Sequence, residues 1–174
     1  MLSRRVFLTT LAAGSLTLRP RLAGAAEASR ELRFSHLHTG ETLTAEYFQA
    51  GRYVPGALNA VNHLLRDFRT GESHTIDPAL LDVLFDVRQR VETRRFFEVI
   101  SGYRSPRTNA ALRQKSEGVA AHSLHMSGRA IDIRLGDVPL ASLRRSALAL
   151  GAGGVGYYPA SNFVHLDTGR VRSW

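Results

Sequence analysis

The chain contains no cysteine. Disulfide cross-links are therefore excluded, and so is a closed structural metal site built on thiolates. It also lacks an apolar run of the ~20 residues needed to span a bilayer. The longest such run, from Leu8 to Leu18, is broken by Gly14, Ser15 and threonines and stops at Arg19-Pro20. Its arginines are scattered, with no basic stripe interleaved with aromatics, which disfavours a nucleic-acid partner. No internal repeat, low-complexity tract or second domain is visible. What remains, at 44% hydrophobic and 22% charged over 174 residues, is one globular domain behind a targeting segment.

That segment is present at the N-terminus. Ser3-Arg4-Arg5-Val6-Phe7-Leu8 leads into the short apolar run, and Ala23-Gly24-Ala25 follows as a small-x-small site. Paired arginines before such a run describe a twin-arginine export signal over residues 1–25, cleaved after Ala25 or Ala26 rather than kept as an anchor. The expected partner is the twin-arginine export machinery, and the expected location is the periplasm, with no stable membrane span after cleavage. The formal charge of +8 includes Arg4, Arg5, Arg19 and Arg21 and no acid from the signal, so the mature chain carries about +4. A modest arginine excess suits an anionic cell wall.

Residues 26–36 are expected to form a flexible lead-in, to about Arg30, and a first strand, and residues 37–174 the main domain. Leu32–His38 and Thr42–Tyr47, with a turn at Thr39-Gly40-Glu41, predict a β-hairpin. His36 and His38 would share a strand face, with no third metal ligand near, and are expected to be ordinary polar positions. A helix is predicted from Pro55-Gly56 to near Thr70-Gly71, with Leu58, Val61, Leu64, Leu65 and Phe68 on one face and His63 on its flank. Asp77-Pro78 opens a second helix with Leu80, Leu84, Val87 and Val91 inward. A strand over Phe96–Ser101 precedes a third helix from Ser105-Pro106 to about Ser116. Gly118–Gly128 is a loop, Ala130–Leu135 a short strand, and Val138-Pro139 begins a fourth helix that ends at Gly151. Val155–Tyr158 and Phe163–Thr168 form a final hairpin. The class is α+β: helices packed around a small antiparallel sheet.

The chemistry concentrates in Ser123-Leu124-His125-Met126-Ser127-Gly128-Arg129-Ala130-Ile131-Asp132, which reads S-x-H-x-x-G-x-A-x-D, and in the later Phe163-Val164-His165-Leu166-Asp167. His125, Asp132 and His165 supply two imidazoles and a carboxylate. Such a set fills three positions of a tetrahedral zinc and leaves the fourth open for water. A strand ending at Arg104 beside a helix N-terminus is suited to holding an anion.

These motifs resemble the zinc peptidase superfamily that contains D-alanyl-D-alanine peptidases, murein endopeptidases and Hedgehog signalling domains. The likeness is strongest to its murein endopeptidase K branch. It is carried by Ser101-Gly102-Tyr103-Arg104-Ser105-Pro106, Ser123-Leu124-His125-Met126, Gly154-Val155-Gly156-Tyr157-Tyr158-Pro159 and Phe163-Val164-His165, and covers about Leu37 to Trp174. The resemblance implies the fold of those metallopeptidases, one Zn2+ per chain, and hydrolysis of peptide cross-links in peptidoglycan, between meso-diaminopimelate residues. It implies that Arg104 faces the scissile carbonyl or a substrate carboxylate, with Tyr103, Ser123 and His122 near the peptide stem. Asn109 is a further candidate for organising the loop. Two other functions fit the same pattern: trimming of terminal D-Ala by a D,D- or L,D-carboxypeptidase, and a zinc-containing wall-binding module without turnover.

One departure matters. Relatives place a general base as Glu-x-x-His or as His-x-His, but the corresponding positions here are Asn162 and Phe163. Asp167 shares a strand face with His165. It is expected either to take the proton of the attacking water or to orient the His165 ring. His122 is the next candidate base. For the signal, replacing Arg4 and Arg5 together by lysine should block export without impairing folding of the mature domain. Fractionation checks this, and undiminished periplasmic accumulation would assign the general secretion route.

Overall fold

The computed structural model describes residues 29–115 and 118–174. The export signal expected over residues 1–25 and residues 26–28 of the lead-in lie outside the described residues. Arg30, expected in the lead-in, instead begins the first strand. Its guanidinium pairs with Asp82 at 2.7 Å and lies over the Phe48 ring.

Eight strands form one sheet in the order β3-β2-β1-β4-β5-β7-β6-β8. They are β1 (Arg30–His36), β2 (Thr42–Gln49), β3 (Arg52–Tyr53), β4 (Phe97–Ser101), β5 (Ala130–Arg134), β6 (Gly154–Tyr158), β7 (Phe163–Asp167) and β8 (Arg172–Ser173). Among the described residues four α-helices accompany them: α1 (Pro55–Leu64), α2 (Pro78–Arg90), α3 (Pro106–Arg113) and α4 (Leu140–Leu150). No helix among the described residues is long and apolar enough to cross a membrane. The α+β class matches the expectation, but the sheet is larger and mixed, because β1 runs parallel to β4 and β6 parallel to β8.

Alternation along the strands divides the sheet into two unlike faces. Leu32, Phe34, Tyr47, Phe97, Val99, Ile131, Ile133, Val164 and Leu166 are buried on one face, in a single core. Leu80, Leu81, Leu84 and Val87 of α2 and Leu143 and Ala147 of α4 cover it. Asp132 lies between Ile131 and Ile133, and His165 between Val164 and Leu166, so both point to the opposite face. Asp77 caps α2 by accepting from the Ala79 amide at 3.0 Å, as its position before Pro78 predicts.

The first helix is shorter than its apolar spacing suggests. It stops at Leu64, and the next residues turn so that the buried Asp67 carboxylate reaches the start of α3. Asp67 Oδ2 accepts from the Ser105 amide at 2.9 Å and the Ser105 hydroxyl at 2.7 Å, while Oδ1 accepts from the Arg69 amide at 3.0 Å. Ser105 Oγ in turn accepts from the Thr108 amide at 3.2 Å and caps α3. Phe68, predicted on the helical stripe, instead stacks on His38 at 4.1 Å. A long-range carboxylate contact has outweighed local periodicity.

Burial raises the Asp67 pKa, but hydrogen bonds from Thr108, Ser105 and Arg69 outweigh it and leave the pKa lowered. Its stabilising effect is therefore present above the unfolded carboxylate pKa of about 3.9 and is lost as pH falls through the lower folded value. Asp67→Asn should turn an amide N–H toward the Ser105 donors and cost roughly 1–3 kcal/mol. The check is urea unfolding: a lower midpoint with unchanged slope is expected at pH 7, and the gap from wild type should narrow in acid.

Candidate metal and catalytic site

Three elements bring the predicted ligands together. His125 sits on a short 3-10 turn, Leu124–Ser127, whose start is capped by the Ser123 hydroxyl accepting from the His125 amide at 3.4 Å. The turn ends at Gly128 with φ +66°, and a Cβ there would collide with the Thr75 carbonyl, so glycine is required on two counts. Asp132 on β5 and His165 on β7 are direct cross-strand partners in the antiparallel ladder. Their side chains therefore meet on the open face of the sheet.

The convergence is tight. His125 Nε2 lies 3.2 Å from His165 Nδ1 and 3.3 Å from Asp132 Oδ1, and His165 Nδ1 lies 2.8 Å from the same oxygen. All three side chains are largely buried. The outer edge of each ring is held from behind. His125 Nδ1 donates to the Gly102 carbonyl at 2.7 Å, and His165 Nε2 donates to Asp167 Oδ2 at 3.0 Å. With those nitrogens turned to the Gly102 carbonyl and Asp167, the other two ring nitrogens face each other and Asp132. Two imidazole nitrogens and a carboxylate oxygen thus point at one spot, the donor set that suits a metal such as zinc.

The electrostatics agree with that arrangement. Burial opposes ionisation of Asp132, yet the His125 and His165 imidazoles hold its carboxyl well below the usual carboxylate range. Burial likewise lowers the His165 pKa, but hydrogen bonds to Asp132 and Asp167 outweigh it and push it up to about 9.

Asp167 is saturated. It accepts from the Gly154 and Gly169 amides at 3.1 and 2.8 Å, from both terminal nitrogens of Arg172 at 3.0 and 2.7 Å, and from His165. Burial would raise its pKa, but these donors hold it well below the usual range, and its side chain has no exposed surface. An acid this strong is a poor proton acceptor at neutral pH. Of the two roles open to Asp167, the geometry suits orienting His165.

A cavity of about 340 Å3 opens over the trio. Arg104, His122, Ser123, Tyr158, Phe163 and Trp174 are among its walls. The Arg104 amide donates to the His125 carbonyl at 3.1 Å, and its guanidinium lies 3.5 Å from Asp132 Oδ2. Burial lowers the Arg104 pKa, with Asp132 opposing. Its buried Nε has no hydrogen-bond partner among the described residues. Asn109 donates to the Ala120 carbonyl at 3.1 Å and so ties down the loop carrying His122. Tyr103, grouped with the substrate residues on the sequence, is not on the cavity wall. Its amide donates to the Leu65 carbonyl and its ring stacks on His74 at 4.8 Å, which turns it away from Arg104.

Sequence reasoning assigned no role to Tyr158, Arg172 or Trp174. Arg172 and Trp174 follow the last predicted strand, in and just after the two-residue β8, which is too short to show a pattern. The trace available in the sequence was Gly154-Val155-Gly156, whose small residues leave room on the site face.

The sequence model of a family described as "Peptidoglycan L,D-endopeptidase MepK" matches residues 24–174. A protein named peptidoglycan L,D-endopeptidase MepK from Escherichia coli (strain K12) is 46% identical over 145 residues, which cover 83% of this chain and 80% of that protein. A probable peptidoglycan L,D-endopeptidase MepK from Haemophilus influenzae is 45% identical over 146 residues, 83% of this chain and 78% of its own. For the site, a divalent cation should compete with the proton that His165 holds up to about 9. Titrating metal-free protein with zinc at pH 7.5 should show about one site per chain and release of about one proton. Calorimetry in buffers of different ionisation enthalpy measures both. Alanine at His125, Asp132 or His165 should each sharply reduce occupancy.

Proposed function

The chain belongs to the peptidoglycan L,D-endopeptidase MepK family, and from that premise we propose that it hydrolyses peptide cross-links of the cell wall, between two meso-diaminopimelate residues. It is a peptidase. The observation that carries the finer reading is the convergence of His125, Asp132 and His165, each ring fixed from behind, beneath a cavity that also holds Arg104. The same reading assigns the mature protein to the periplasm, delivered by the twin-arginine machinery.

Each residue has a definable task. His125, Asp132 and His165 would hold one zinc ion, which supplies Lewis acidity to the hydrolysis. The Gly102 carbonyl and Asp167 keep the two imidazoles in the tautomers that this needs. Arg104 meets the free carboxylate of a diaminopimelate or the scissile carbonyl, both acceptors that a buried guanidinium recognises. His122, on the loop wall of the cavity, takes the proton of the attacking water and passes it to the leaving amine. It fills that role because Asp167 is spent on five donors and Asp132 on the trio. Ser123 shapes the turn that presents His125.

Purified cross-linked muropeptides provide the test. Wild-type protein should cut them, lose the activity to a chelator and regain it with zinc. His122→Gln should lose about 100-fold or more in turnover while keeping its zinc, the range expected for loss of a general base. Asp167→Asn should bind zinc roughly 10–100-fold more weakly and recover activity when zinc is in excess. An Asp167→Asn protein inactive at saturating zinc, with His122→Gln active, would return the base to Asp167. Zinc-dependent binding of muropeptides without cleavage would identify a wall-binding module, and release of terminal D-Ala alone a carboxypeptidase.

A further inference from the structure

Beside the trio, the site face carries an aromatic assembly that none of the tasks above employs. Gly156 is the direct cross-strand partner of His165, and a Cβ at Gly156 would lie 2.8 Å from the Trp174 indole. The missing side chain lets the indole lie against the sheet, with its ring centre 5.3 Å from that of His165. Arg172, the residue that clamps Asp167, covers the indole at 4.8 Å. From this fixed position Trp174 Nε1 donates to the Tyr158 hydroxyl at 2.7 Å. Tyr158 is two residues beyond Gly156 on the same strand face, and its ring stacks on Phe163 at 4.5 Å.

The direction of that hydrogen bond is not negotiable. An indole N–H only donates, so the phenol oxygen must accept. Among the described residues no acceptor takes the phenol's own hydrogen, and Tyr158 lines the cavity with the trio and Arg104. We infer that Tyr158 is a catalytic hydrogen-bond donor, oriented by Trp174, that stabilises the oxyanion formed on the scissile carbonyl. This inference rests on the proposed peptidase reaction.

The step balances simply. The water oxygen bonds to the carbonyl carbon, the carbonyl π pair moves onto oxygen, and the phenol donates a hydrogen bond to that oxygen without giving up its proton. As the tetrahedral centre collapses, the C–N bond breaks and the amine takes the proton removed from water. Tyr158 contributes only while negative charge sits on the oxygen, so its effect belongs to kcat rather than KM. Trp174 is a positioning residue: it occupies one lone pair of the phenol, which limits where the O–H can point.

The test uses full-length mature protein loaded with zinc and a defined cross-linked muropeptide. Tyr158→Phe keeps the stacking ring and should lose about 100-fold in kcat with KM changed less than about threefold, the loss typical of removing one oxyanion donor. Trp174→Phe should lose about 3–10-fold, and the double variant should be no worse than Tyr158→Phe alone, because both changes act through one hydroxyl. Zinc content and melting temperature should match wild type in each variant. A phosphinate analogue of the cross-link, which mimics the tetrahedral centre, should bind Tyr158→Phe about 10–100-fold more weakly, whereas the cleaved product should bind equally. A Tyr158→Phe enzyme with unchanged kcat, a loss confined to KM, or fully multiplicative losses in the double variant would overturn the inference. A wild-type protein that cuts no muropeptide would overturn both this inference and the reaction on which it rests.

Discussion

The pairing of Asp132 with His165 across β5 and β7 is the constraint on which the rest of the site depends. Two adjacent strands bring the carboxylate and imidazole together only if their register is held to the residue. A slip of one position would reverse the faces of the moving strand. The core supplies the restoring force. Ile131, Ile133, Val164 and Leu166 alternate with the two ligands and are all essentially fully buried. Each such side chain stabilises its inward orientation by about 1.5–3 kcal/mol. The apolar face thus sets the geometry of the polar one, and His125 needs only to be delivered above an established pair.

Its delivery rests on contacts remote from the chemistry. The 3-10 turn that carries His125 is held on one side by the Gly102 carbonyl and the Arg104 amide, and on the other by Asp77, whose amide donates to the Gly128 carbonyl at 2.9 Å. Arg129 extends this support by bonding to the Thr168 hydroxyl at 3.0 Å and to the Thr168 carbonyl just beyond β7. Asp67 fixes Ser105, and with it the chain immediately after Arg104. Buried carboxylates therefore frame the site at three points: Asp67 and Asp167 are compensated by directed donors, and Asp132 by the two imidazoles and the Arg104 guanidinium.

The parts legible in the sequence were those specified by short-range pattern. The amphipathic spacing of α2 and α4, the Asp77 and Ser105 caps, and the β6–β7 hairpin each depend on residues close in the chain. The grouping of His125, Asp132 and His165 was legible for a different reason: few other roles call for His125, Gly128 and Asp132 at that spacing with a later histidine. What escaped was tertiary. The early end of α1 follows from Asp67 reaching Ser105, 38 residues away, and helical periodicity carries no sign of it. The two-residue strands β3 and β8 are too short to show alternation. Tyr103 and Arg104 could not be separated by neighbourhood alone, since adjacent residues diverge according to the backbone, and His74 claims Tyr103. Trp174 gained its place through a glycine on another strand.

The missing Glu-x-x-His follows from the same geometry. The β6–β7 ladder closes with Tyr158 opposite Phe163, so the position three before His165 falls in the turn and not on the site face. Asn162 adopts φ +54° there, in the left-handed region that asparagine tolerates better than most side chains. A glutamate at 162 would incur backbone strain, and from this exposed turn the carboxylate would lack the strand that orients His165. A tight hairpin and a base at that position are competing solutions for the same four residues. With the hairpin kept, the proposed proton acceptor comes from an element outside the sheet. The loop before His125, anchored by Asn109 and carrying His122, is the wall of the cavity that can supply one.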